Sequence, residues 1–585
     1  MTEAFALLDA PGGGALLFSA LRRTLPVDAT NLAAACAEVE QATAGGLHVV
    51  AALDYELGYC LEPAAGSAPA GTLGHFWLFA ARRALDADEL AAWLAAHAGD
   101  PPRPACIADF RPRCDAAAHA RALARIRDWI AAGDCYQVNF TFPFEGRLIG
   151  DPLALYARLR AAQPVAHGGL VMTPEARILS FSPELFVERH GQTIRSQPMK
   201  GTAARSGDAA ADAAAAATLA ASAKERAENV MIVDLIRNDL GRIARPGSVR
   251  VESLCAVESY PSVHQMSSSV VADCDAGLAE TLAALFPCGS ITGAPKVRAM
   301  QIVRELESAP RGLYTGALGW VGPGGDFHFN VAIRTLLLDV DGGLRYGVGS
   351  GIVWDSGAAA EYAECLLKAG FVTRADPGFR LIETLRLEDG DYPLLALHLV
   401  RLHASAAALS FACDRKRVTG ALRELAATHA QGVFRVRLTL GRDGDIELTA
   451  ASLPATPGER LAVLSPQRLD SRSPWLRHKT TVRDLYEREL ARLAADPAVF
   501  DAIFLNERGE VCEGARSSVF VRRTAGGPLL TPPLASGLLP GVLRRQLLES
   551  GEAVEAVLYE EDLRSAAGLW LGNALRGLLR VRLTS

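Results

Sequence analysis

The Asp376-Pro377-Gly378 turn is the feature that most constrains how this chain can fold. It follows a helical segment, "AAEYAECLLKAG", and precedes a region of short apolar alternations. Clusters of proline and glycine mark turns and breaks between elements. Half of the 585 residues are hydrophobic, which is enough for a core on each side of the break. We therefore predict two domains, residues 1–370 and 379–585, joined by a linker at 371–378.

Charge and composition exclude several classes of protein. The net charge is −6 and no block of lysine and arginine occurs, so we expect no nucleic-acid partner. No basic segment followed by a long apolar run opens the sequence, and no apolar run reaches about 18 residues, so we expect neither a signal peptide nor a membrane segment. The eleven cysteines form no C-x-x-C pair, which is typical of a reduced, cytoplasmic protein.

Helix-like and strand-like segments alternate along the chain, which predicts an α/β (α+β) fold. Apolar spacing predicts a helix from near Ser222 to Leu240, preceded by an alanine-rich loop, and another helix after "GSITGAPK". A hairpin is predicted at His190-Gly191. The second part should contain one hairpin around Asp389-Gly390 and another in "VFRVRLTLGRDGDIELTAA".

Two pairs of glutamates have helical spacing in the first part. Glu225 and Glu228 are three residues apart, as are Glu361 and Glu364, so each pair shares one helical face. Facing helices of this kind could hold Mg²⁺, which takes oxygen ligands. The spacing alone fits surface ion pairs better, for example between Glu364 and Lys368.

Other segments of the first part could bind an anion. "GSITGAPK" offers backbone N–H groups and the Thr292 hydroxyl at the start of a helix. Gly349 and Gly351 allow backbone N–H groups to approach a ligand, and Arg334 could contact a carboxylate. Together these segments indicate a site for a small acid with more than one carboxylate. Lys200, held between Pro198 and Gly201, is a candidate reactive amine near such a site.

The first part resembles the chorismate-utilizing enzymes, which include anthranilate synthases, isochorismate synthases and component I of aminodeoxychorismate synthases. The resemblance covers about residues 5–370 and rests on motifs that occur in the order found in that family: "GDCYQVNF", "SPELF", "QPMKGTAAR", "KERAENVMIVDLIRNDLGRI", "GSITGAPKVRAMQIV" and "AIRTL". It implies a large α/β sandwich with the site between its sheets and chorismate as substrate.

The resemblance also assigns expected roles. Lys200 stands where aminodeoxychorismate synthases carry a covalent catalyst and anthranilate synthases have alanine. Glu184 matches the general acid/base. Glu228 and Glu364 match Mg²⁺ ligands, with Glu225 and Glu361 beside them. The positions that match substrate contacts are Gly201, Thr202, Thr292, Tyr314, Arg334, Gly349 and Gly351. The sequence contains no glutaminase cysteine motif, so we expect ammonia from a separate glutamine amidotransferase subunit.

The second part contains the residue types that a pyridoxal phosphate enzyme needs. Lys479 precedes a predicted helix, Glu513 ends a predicted strand, and small residues lead into another helix whose N-terminus could hold phosphate. Solvation is the alternative for Lys479, which lies among Arg477, His478 and Arg483.

This part resembles the class IV aminotransferase-like enzymes from about residue 378 to 585. The resemblance rests on motifs in the family's order: "HLVRLHASAAAL", "HKTTVRDLYERE", "EGARSSVF", "LPGVLRRQLLE" and "LGNALRGLLRV". It implies that Lys479 forms the Schiff base and moves the proton, that Glu513 holds the pyridine nitrogen, and that Arg401 and Thr531 contact the phosphate. The first strands usual in such domains are missing, and Ser518 stands where asparagine is frequent.

The two resemblances together predict a bifunctional enzyme that aminates chorismate and then eliminates pyruvate to give 4-aminobenzoate, a folate precursor. Three alternatives remain open. The second domain could be a non-catalytic docking module, the first could be an anthranilate synthase component I, or the second could be a transaminase.

Overall fold

The computed structural model describes residues 3–260, 263–456 and 458–584. It divides into two compact units. The first comprises Met1–Arg103 and Phe110–Ala375, and the second comprises Pro104–Asp109 and Asp376–Ser585.

The first unit combines many antiparallel strands with helices. Its strands, with β5 at the boundary between the units, are β1 Phe5–Asp9, β2 Ala15–Val27, β3 His48–Leu53, β4 Gly74–Leu85, β5 Ala105–Pro112, β6 Gln137–Gly150, β7 Gly169–Met172, β8 Arg177–Ser180, β9 Leu185–His190, β10 Thr193–Gln197, β11 Met199–Ala204, β12 Arg250–Ser259, β13 Val263–Asp273, β14 Gly293–Ala294, β15 Ala317–Val321, β16 Phe327–Val331, β17 Thr335–Leu338 and β18 Gly343–Ile352. Its helices are α1 Leu32–Ala44, α2 Gly58–Leu61, α3 Ala87–Ala98, α4 Ala116–Ala131, α5 Pro152–Ala162, α6 Ala209–Ala221, α7 Ala223–Gly241, α8 Leu278–Leu285, α9 Lys296–Leu306 and α10 Ala358–Arg374.

Strand pairing brings distant motifs of the first unit together. β18 pairs antiparallel with β6, so that Gly349 lies opposite Thr141 and Gly351 opposite Asn139. β13 pairs with β10, β11 and β12. β9 pairs with β10 and β16, and the hairpin predicted at His190-Gly191 is confirmed. Leu185 of "SPELF" lies opposite Gln197 of "QPMKGT", and the Phe181 N–H just before "SPELF" donates to the Arg334 oxygen of "AIRTL" at 3.0 Å.

Helix α7 confirms the helix predicted from near Ser222. The Ser222 hydroxyl accepts a hydrogen bond from the Glu225 N–H and caps the helix, as serine commonly does. Ile232, Val233, Ile236 and Leu240 are buried. Val230, on the same helix, is 45% exposed. The α9 helix predicted after "GSITGAPK" is also confirmed.

Two boundaries in the first unit differ from the prediction. The alanine-rich segment before Ser222 is the helix α6 rather than a loop, because alanine has the highest helix propensity and Asp208 caps the first turn. Helix α10 continues to Arg374 because Cys365, Ala369 and Val372 are buried at helical spacing. Residues 371–374 are therefore helical, and the predicted linker is too long at its start.

The second unit contains two sheets. Its strands are β19 Leu381–Glu388, β20 Val433–Leu440, β21 Ile446–Ser452, β22 Arg460–Leu469, β23 Val499–Asn506, β24 Val511–Gly514, β25 Ser518–Arg522, β26 Leu529–Thr531, β27 Ala553–Glu555, β28 Gly568–Asn573 and β29 Gly577–Leu583. Its helices are α11 Leu395–Leu409, α12 Arg415–Ala427, α13 Asp484–Leu493, α14 Val542–Glu549 and α15 Glu560–Arg564. Strands β19, β20 and β21 form an antiparallel sheet, and the other eight form a mixed sheet in the order β24-β23-β22-β29-β28-β25-β26-β27.

The hairpin predicted in "VFRVRLTLGRDGDIELTAA" is confirmed as β20 and β21. The one predicted around Asp389-Gly390 is wrong. β19 ends there in a turn, and the chain continues into α11 instead of a return strand. Pro393 cannot donate to a strand ladder, and the residues after it bury Leu399, Leu402 and Leu409 at helical spacing.

Two candidate active sites

Lys200 lies on β11 at an irregularity in the strand. The pairing of β11 with β13 shifts register between Lys200 and Thr202, where Gly201 has a φ of +76°. Glycine adopts this left-handed conformation without strain. A Cβ at Gly201 would also lie 2.9 Å from Glu225 Oε2, so glycine is required here for space as well. The Lys200 amine donates a hydrogen bond of 3.0 Å to the main-chain oxygen of Ser290.

Glu184 lies within reach of the same serine. It precedes β9, is 4% exposed, and its Oε1 accepts a hydrogen bond of 2.6 Å from the Ser290 hydroxyl. Burial raises the pKa of Glu184, although Ser290 and the nearby Lys200 ammonium partly oppose that rise. The structure thus brings Lys200 and Glu184 together through Ser290. Sequence reasoning did not single out this serine, although the small-residue run "GSITGAPK" contains it.

The predicted metal ligands lie on α7 and α10. Burial raises the pKa of Glu228, Lys200 lowers it, and the carboxylates of Glu225 and Glu361 raise it further. Glu361 accepts a hydrogen bond of 2.7 Å from the Ser356 hydroxyl. Glu364 forms the ion pair of 2.7 Å with Lys368 that the surface interpretation predicted.

Among the residues that the structure describes, no three His, Cys, Asp or Glu side chains cluster as metal ligands. The donor set still fits a magnesium ion, which is often held by one or two protein carboxylates together with substrate and water. The carboxylates of Glu225 and Glu361 repel that of Glu228, and a divalent cation would neutralise such a group.

The predicted substrate contacts come from several segments of the first unit. Thr292 is fully buried in the segment that holds Ser290, and its hydroxyl donates to the Cys288 oxygen at 2.9 Å. Arg311 links this segment to that of Tyr314, because its Nη1 donates to the Ile291 oxygen and to the Thr315 hydroxyl. Burial raises the pKa of Tyr314 well above its ordinary value, and burial lowers the pKa of Arg334, which has a φ of +49°. Thr202 is exposed on β11.

Gly349 and Gly351 lie on β18 beside β6. The Gly349 oxygen accepts a hydrogen bond of 2.9 Å from the Lys368 amine. A Cβ at Gly351 would lie 2.3 Å from the Gln137 amide nitrogen, so the Gln137 side chain would have to shift to admit a larger residue. Gln137 is 2% exposed, and neither its Oε1 nor its Nε2 has a hydrogen-bond partner in the described part of the chain. An orphaned buried amide of this kind is an incomplete polar site.

Lys479 is half-buried in the second unit. It follows the short 3₁₀ helix Pro474–Arg477, and its main-chain oxygen accepts a hydrogen bond of 2.8 Å from the Ile382 N–H at the start of β19. Burial, followed by the neighbouring Arg483 and Arg401 guanidinium groups, lowers the pKa of Lys479 to about 7. The partial burial and the lowered pKa favour a place in a site over the solvated alternative.

Glu513 is buried on β24 near Lys479. Its Oε1 accepts a hydrogen bond of 2.6 Å from the Tyr486 hydroxyl, and its Oε2 accepts one of 3.1 Å from the Leu539 N–H. Burial raises the pKa of Glu513, and Tyr486, Leu539, Arg483 and Lys479 oppose that rise. The carboxyl group is therefore fixed in position and shielded from water.

Arg401 lies on α11 and is held by Glu383, which sequence reasoning missed. Two of its nitrogens donate to the Glu383 carboxylate at 2.9 and 2.6 Å, and a third donates to the Pro540 oxygen at 3.2 Å. Burial alone would raise the pKa of Glu383, but Arg401 and His398 hold it at about 2. The sequence did carry a signal for Glu383. It shares a strand face with Leu381 and Leu385, so a charged side chain is predicted among buried apolar ones.

Thr531 ends β26, is fully buried, and its hydroxyl has no hydrogen-bond partner among the described residues. No hydrogen bond in that part of the chain joins it to Lys479, Glu513 or Arg401. Gly541 is the N-cap of α14. A Cβ there would lie 2.5 Å from the Ser518 hydroxyl, so Ser518 packs closely against the N-terminus of this helix. A half-buried lysine with a lowered pKa, a fixed carboxyl and a half-buried arginine fit the donor set that pyridoxal phosphate requires.

No helix in the described ranges is long and apolar enough to cross a membrane.

Comparison with known proteins agrees with this architecture. Residues 19–374 match the model of the chorismate binding enzyme family, and residues 380–584 match the amino-transferase class IV model. The chain is 42% identical over 248 residues to aminodeoxychorismate synthase component 1 of Klebsiella aerogenes, a match that covers 42% of this chain and 55% of that protein. It is 43% identical over 250 residues to anthranilate synthase component 1 of Streptomyces coelicolor, which covers 42% of this chain and 49% of that protein. The chain thus spans about half the length of the curated relatives it matches.

Among solved structures, anthranilate synthase component I of Streptococcus pneumoniae has a similar fold. The TM-score is 0.52 at 24% identity, and the match covers 64% of this chain and 91% of that chain. The family model covers more than half of the sequence, with a second enzyme domain following it. The chain belongs to the chorismate binding enzyme family.

Proposed function

We propose that the chain converts chorismate to 4-aminobenzoate in two steps, one in each unit. The observation that carries the proposal is the link from Lys200 through Ser290 to Glu184, which places an amine and a buried acid side by side. The similarity to aminodeoxychorismate synthase component 1 supports the same assignment.

The first step replaces the C4 hydroxyl of chorismate by an amino group. The Lys200 amine attacks C2, both ring double bonds shift, and the C4–O bond breaks. Glu184 gives its proton to the departing hydroxyl, which leaves as water, and burial favours the protonated carboxyl that this role needs. Ammonia then attacks C4, both double bonds shift back, and the bond between Lys200 and C2 breaks. A separate glutamine amidotransferase subunit supplies the ammonia in this proposal.

Glu228 and Glu364 would hold magnesium, with Glu225 and Glu361 next to them. A bound magnesium ion would neutralise the ring carboxylate of the substrate. Release of Glu364 from Lys368 would be needed for it to act as a ligand, since the two form an ion pair here.

The second step removes pyruvate from aminodeoxychorismate. Lys479 would hold pyridoxal phosphate covalently, Glu513 would pair with its ring nitrogen, and Arg401 with its phosphate. The bound cofactor would supply an electron sink for removal of the C4 proton. Lys479 is poised to take the C4 proton because its pKa of about 7 lets it act as a base at neutral pH. The C3–O bond then breaks, the enol leaves as pyruvate, and the ring becomes aromatic.

One incubation tests the proposal. The purified chain is mixed with chorismate, ammonium, magnesium and pyridoxal phosphate, and the products are separated by chromatography and identified by mass. The proposal requires 4-aminobenzoate and pyruvate without any added lyase. Accumulation of aminodeoxychorismate would show that the second unit is not a lyase, and 2-aminobenzoate would identify an anthranilate synthase.

The similarity to anthranilate synthase component 1 of Streptomyces coelicolor favours this last activity as the second candidate. Lys200 argues against it, since the anthranilate synthases that the first unit resembles have alanine at this position.

A further inference from the structure

Arg311 is a buried charged side chain with no part in the chemistry of either step. It lies between α9 and β15 and is 4% exposed. Its Nε and Nη2 donate hydrogen bonds of 2.9 and 2.8 Å to the two carboxylate oxygens of Glu307, so the pair is bidentate. Burial would lower the pKa of Arg311, but the Glu307 carboxylate raises it above its ordinary value. The guanidinium group is therefore charged and held in one orientation.

The same guanidinium group reaches two segments of the first site. Its Nη1 donates to the Ile291 oxygen at 3.1 Å, and its Nη2 donates to the Asn139 oxygen at 2.6 Å. The Asn139 side-chain amide donates to the same Ile291 oxygen at 2.9 Å. Ile291 stands between Ser290 and Thr292 in the chain. These three contacts therefore fix the Ser290–Thr292 segment against β6.

Arg311 also contacts the residue that follows Tyr314. Its Nη1 donates to the Thr315 hydroxyl at 3.3 Å. Thr315 has a φ of +63°, in the left-handed region that β-branched residues rarely adopt, so its backbone is strained. Such a conformation persists only where the surrounding structure holds it. Arg311 thus stabilises the strained turn from which the Tyr314 side chain extends.

The segments that Arg311 joins meet on one face of β18. Gly347, Gly349 and Gly351 alternate along this strand and so share that face. The Tyr314 ring packs over it, since a Cβ at Gly347 would lie 2.1 Å from the ring Cγ. Asn139, which Arg311 holds through its main-chain oxygen, lies opposite Gly351. One guanidinium group therefore joins three segments that carry or adjoin predicted substrate contacts.

We propose that Arg311 is the positioning residue of the first site. It acts through the main chain on Ser290, and so on the Glu184 acid, and it acts on Tyr314 through the next residue. The inference rests on the proposed function. A lysine could keep the charge but not these contacts, because the guanidinium offers five N–H groups in a fixed plane, whereas an ammonium group offers three without one.

A double-mutant cycle tests this role. Arg311→Lys keeps a positive charge beside Glu307 and should slow amination of chorismate by roughly tenfold to hundredfold, because the acid and the substrate contacts are misplaced. Arg311→Lys should slow the Ser290→Ala variant by less than it slows the unmodified chain, because part of its effect passes through Ser290. Effects that multiply fully would overturn the inference. Arg22→Lys makes the same change at an exposed position on β2 and should leave the rate unchanged.

Hydrogen–deuterium exchange tests the placement without any turnover. Peptides that cover residues 286–294 and 312–316 should exchange roughly tenfold faster in Arg311→Lys than in the unmodified chain, because these segments lose hydrogen bonds that hold them. Peptides from β2 and from the second unit should not change. Unchanged exchange in both segments would overturn the inference. Failure of the proposed function is a separate result, because it shows in the products that the unmodified chain forms from chorismate.

A second variant keeps the test decisive if Arg311→Lys does not fold. Arg311→Met combined with Glu307→Gln removes the buried ion pair as a whole and leaves no unpaired charge. Glutamine keeps an oxygen for the Thr141 N–H, which donates to Glu307 at 2.8 Å. This variant should show the same loss of rate and the same faster exchange. A normal rate together with normal exchange would overturn the inference.

Discussion

The Lys200 amine and the Glu184 carboxyl are bridged by a single residue, with Ser290 accepting from the lysine at 3.0 Å through its main-chain oxygen and donating to the glutamate at 2.6 Å through its hydroxyl. The lysine contact uses the backbone, so it survives replacement of the serine side chain. The glutamate contact uses the Ser290 hydroxyl, so replacement of the side chain removes it. The two functions of Ser290 can therefore be separated by mutation.

Ser290→Ala should slow formation of the aminated product by roughly tenfold to hundredfold, because Glu184 loses the hydrogen bond that orients it. Lys200 should keep its position. Steady-state kinetics with chorismate and ammonium measure the effect, with Ser67→Ala at an exposed position as the control. A rate equal to that of the unmodified chain would show that Ser290 does not orient the acid.

The pH dependence of the first step should report Glu184. Burial raises its pKa, so the carboxyl stays protonated to a higher pH than a solvated glutamate and the rate should fall as pH rises through that pKa. Glu184→Gln should lower the rate and remove this limb of the pH–rate profile. Glu305→Gln, at an exposed position, should leave the profile intact. If the rate of Glu184→Gln still falls as pH rises in the same range, another group causes that fall.

Replacing the two lysines should separate the two steps. Lys479→Ala should convert chorismate only as far as aminodeoxychorismate, because the first unit keeps Lys200 and Glu184. Lys200→Ala should form neither product from chorismate but should still release 4-aminobenzoate from supplied aminodeoxychorismate. Chromatography of both reactions checks this, and a mixture of the two variants should restore the overall conversion. Normal 4-aminobenzoate formation by either variant alone would contradict the assignment.

Capture of pyridoxal phosphate should depend on pH near neutrality. A covalent bond to the cofactor aldehyde needs the neutral amine, and the pKa of Lys479 is lowered to about 7. The capture rate of cofactor-free protein should therefore rise as pH increases through about 7 and level off above it. Stopped-flow absorbance follows the reaction. A rate that keeps rising toward the ordinary lysine pKa of about 10.4 would show that Lys479 is not desolvated.

A buried ion pair joins two of the motifs in the first unit. Lys296 Nζ lies 2.6 Å from Asp239 Oδ2, and both side chains are 7% exposed. Lys296→Met should destabilise the protein by about 3–5 kcal/mol, because Asp239 is left as an unpaired buried charge. Denaturant unfolding measures this. Adding Asp239→Leu should recover much of the loss, and a second variant no more stable than the first would indicate that the lysine contributes mainly through packing.

Residue type and order were enough to predict much of the second site. They did not show which of its side chains are buried or ionised. Lys479 and Glu513 are 34 positions apart in sequence, and no local pattern distinguishes a surface lysine from a desolvated one. Glu383 and His398 were missed because each occurs in an ordinary alternating or helical segment. Only the fold brings them against Arg401, where the carboxylate is held ionised.

Local patterns by themselves determined the elements with strong periodicity. They located α7, α9, the hairpin at His190-Gly191 and the mixed helix and strand fold, because hydrophobic spacing and capping act within a few residues. They failed at Asp389-Gly390 and in the alanine-rich segment before Ser222, where a turn or a uniform composition fits more than one structure. The tertiary structure decided what depends on contacts between distant residues: the Ser290 bridge, the lowered pKa of Lys479, and the meeting of Arg311 with Asn139 and Ile291. Burial and the electrostatic field of neighbours create these properties, and both exist only once the strands have paired.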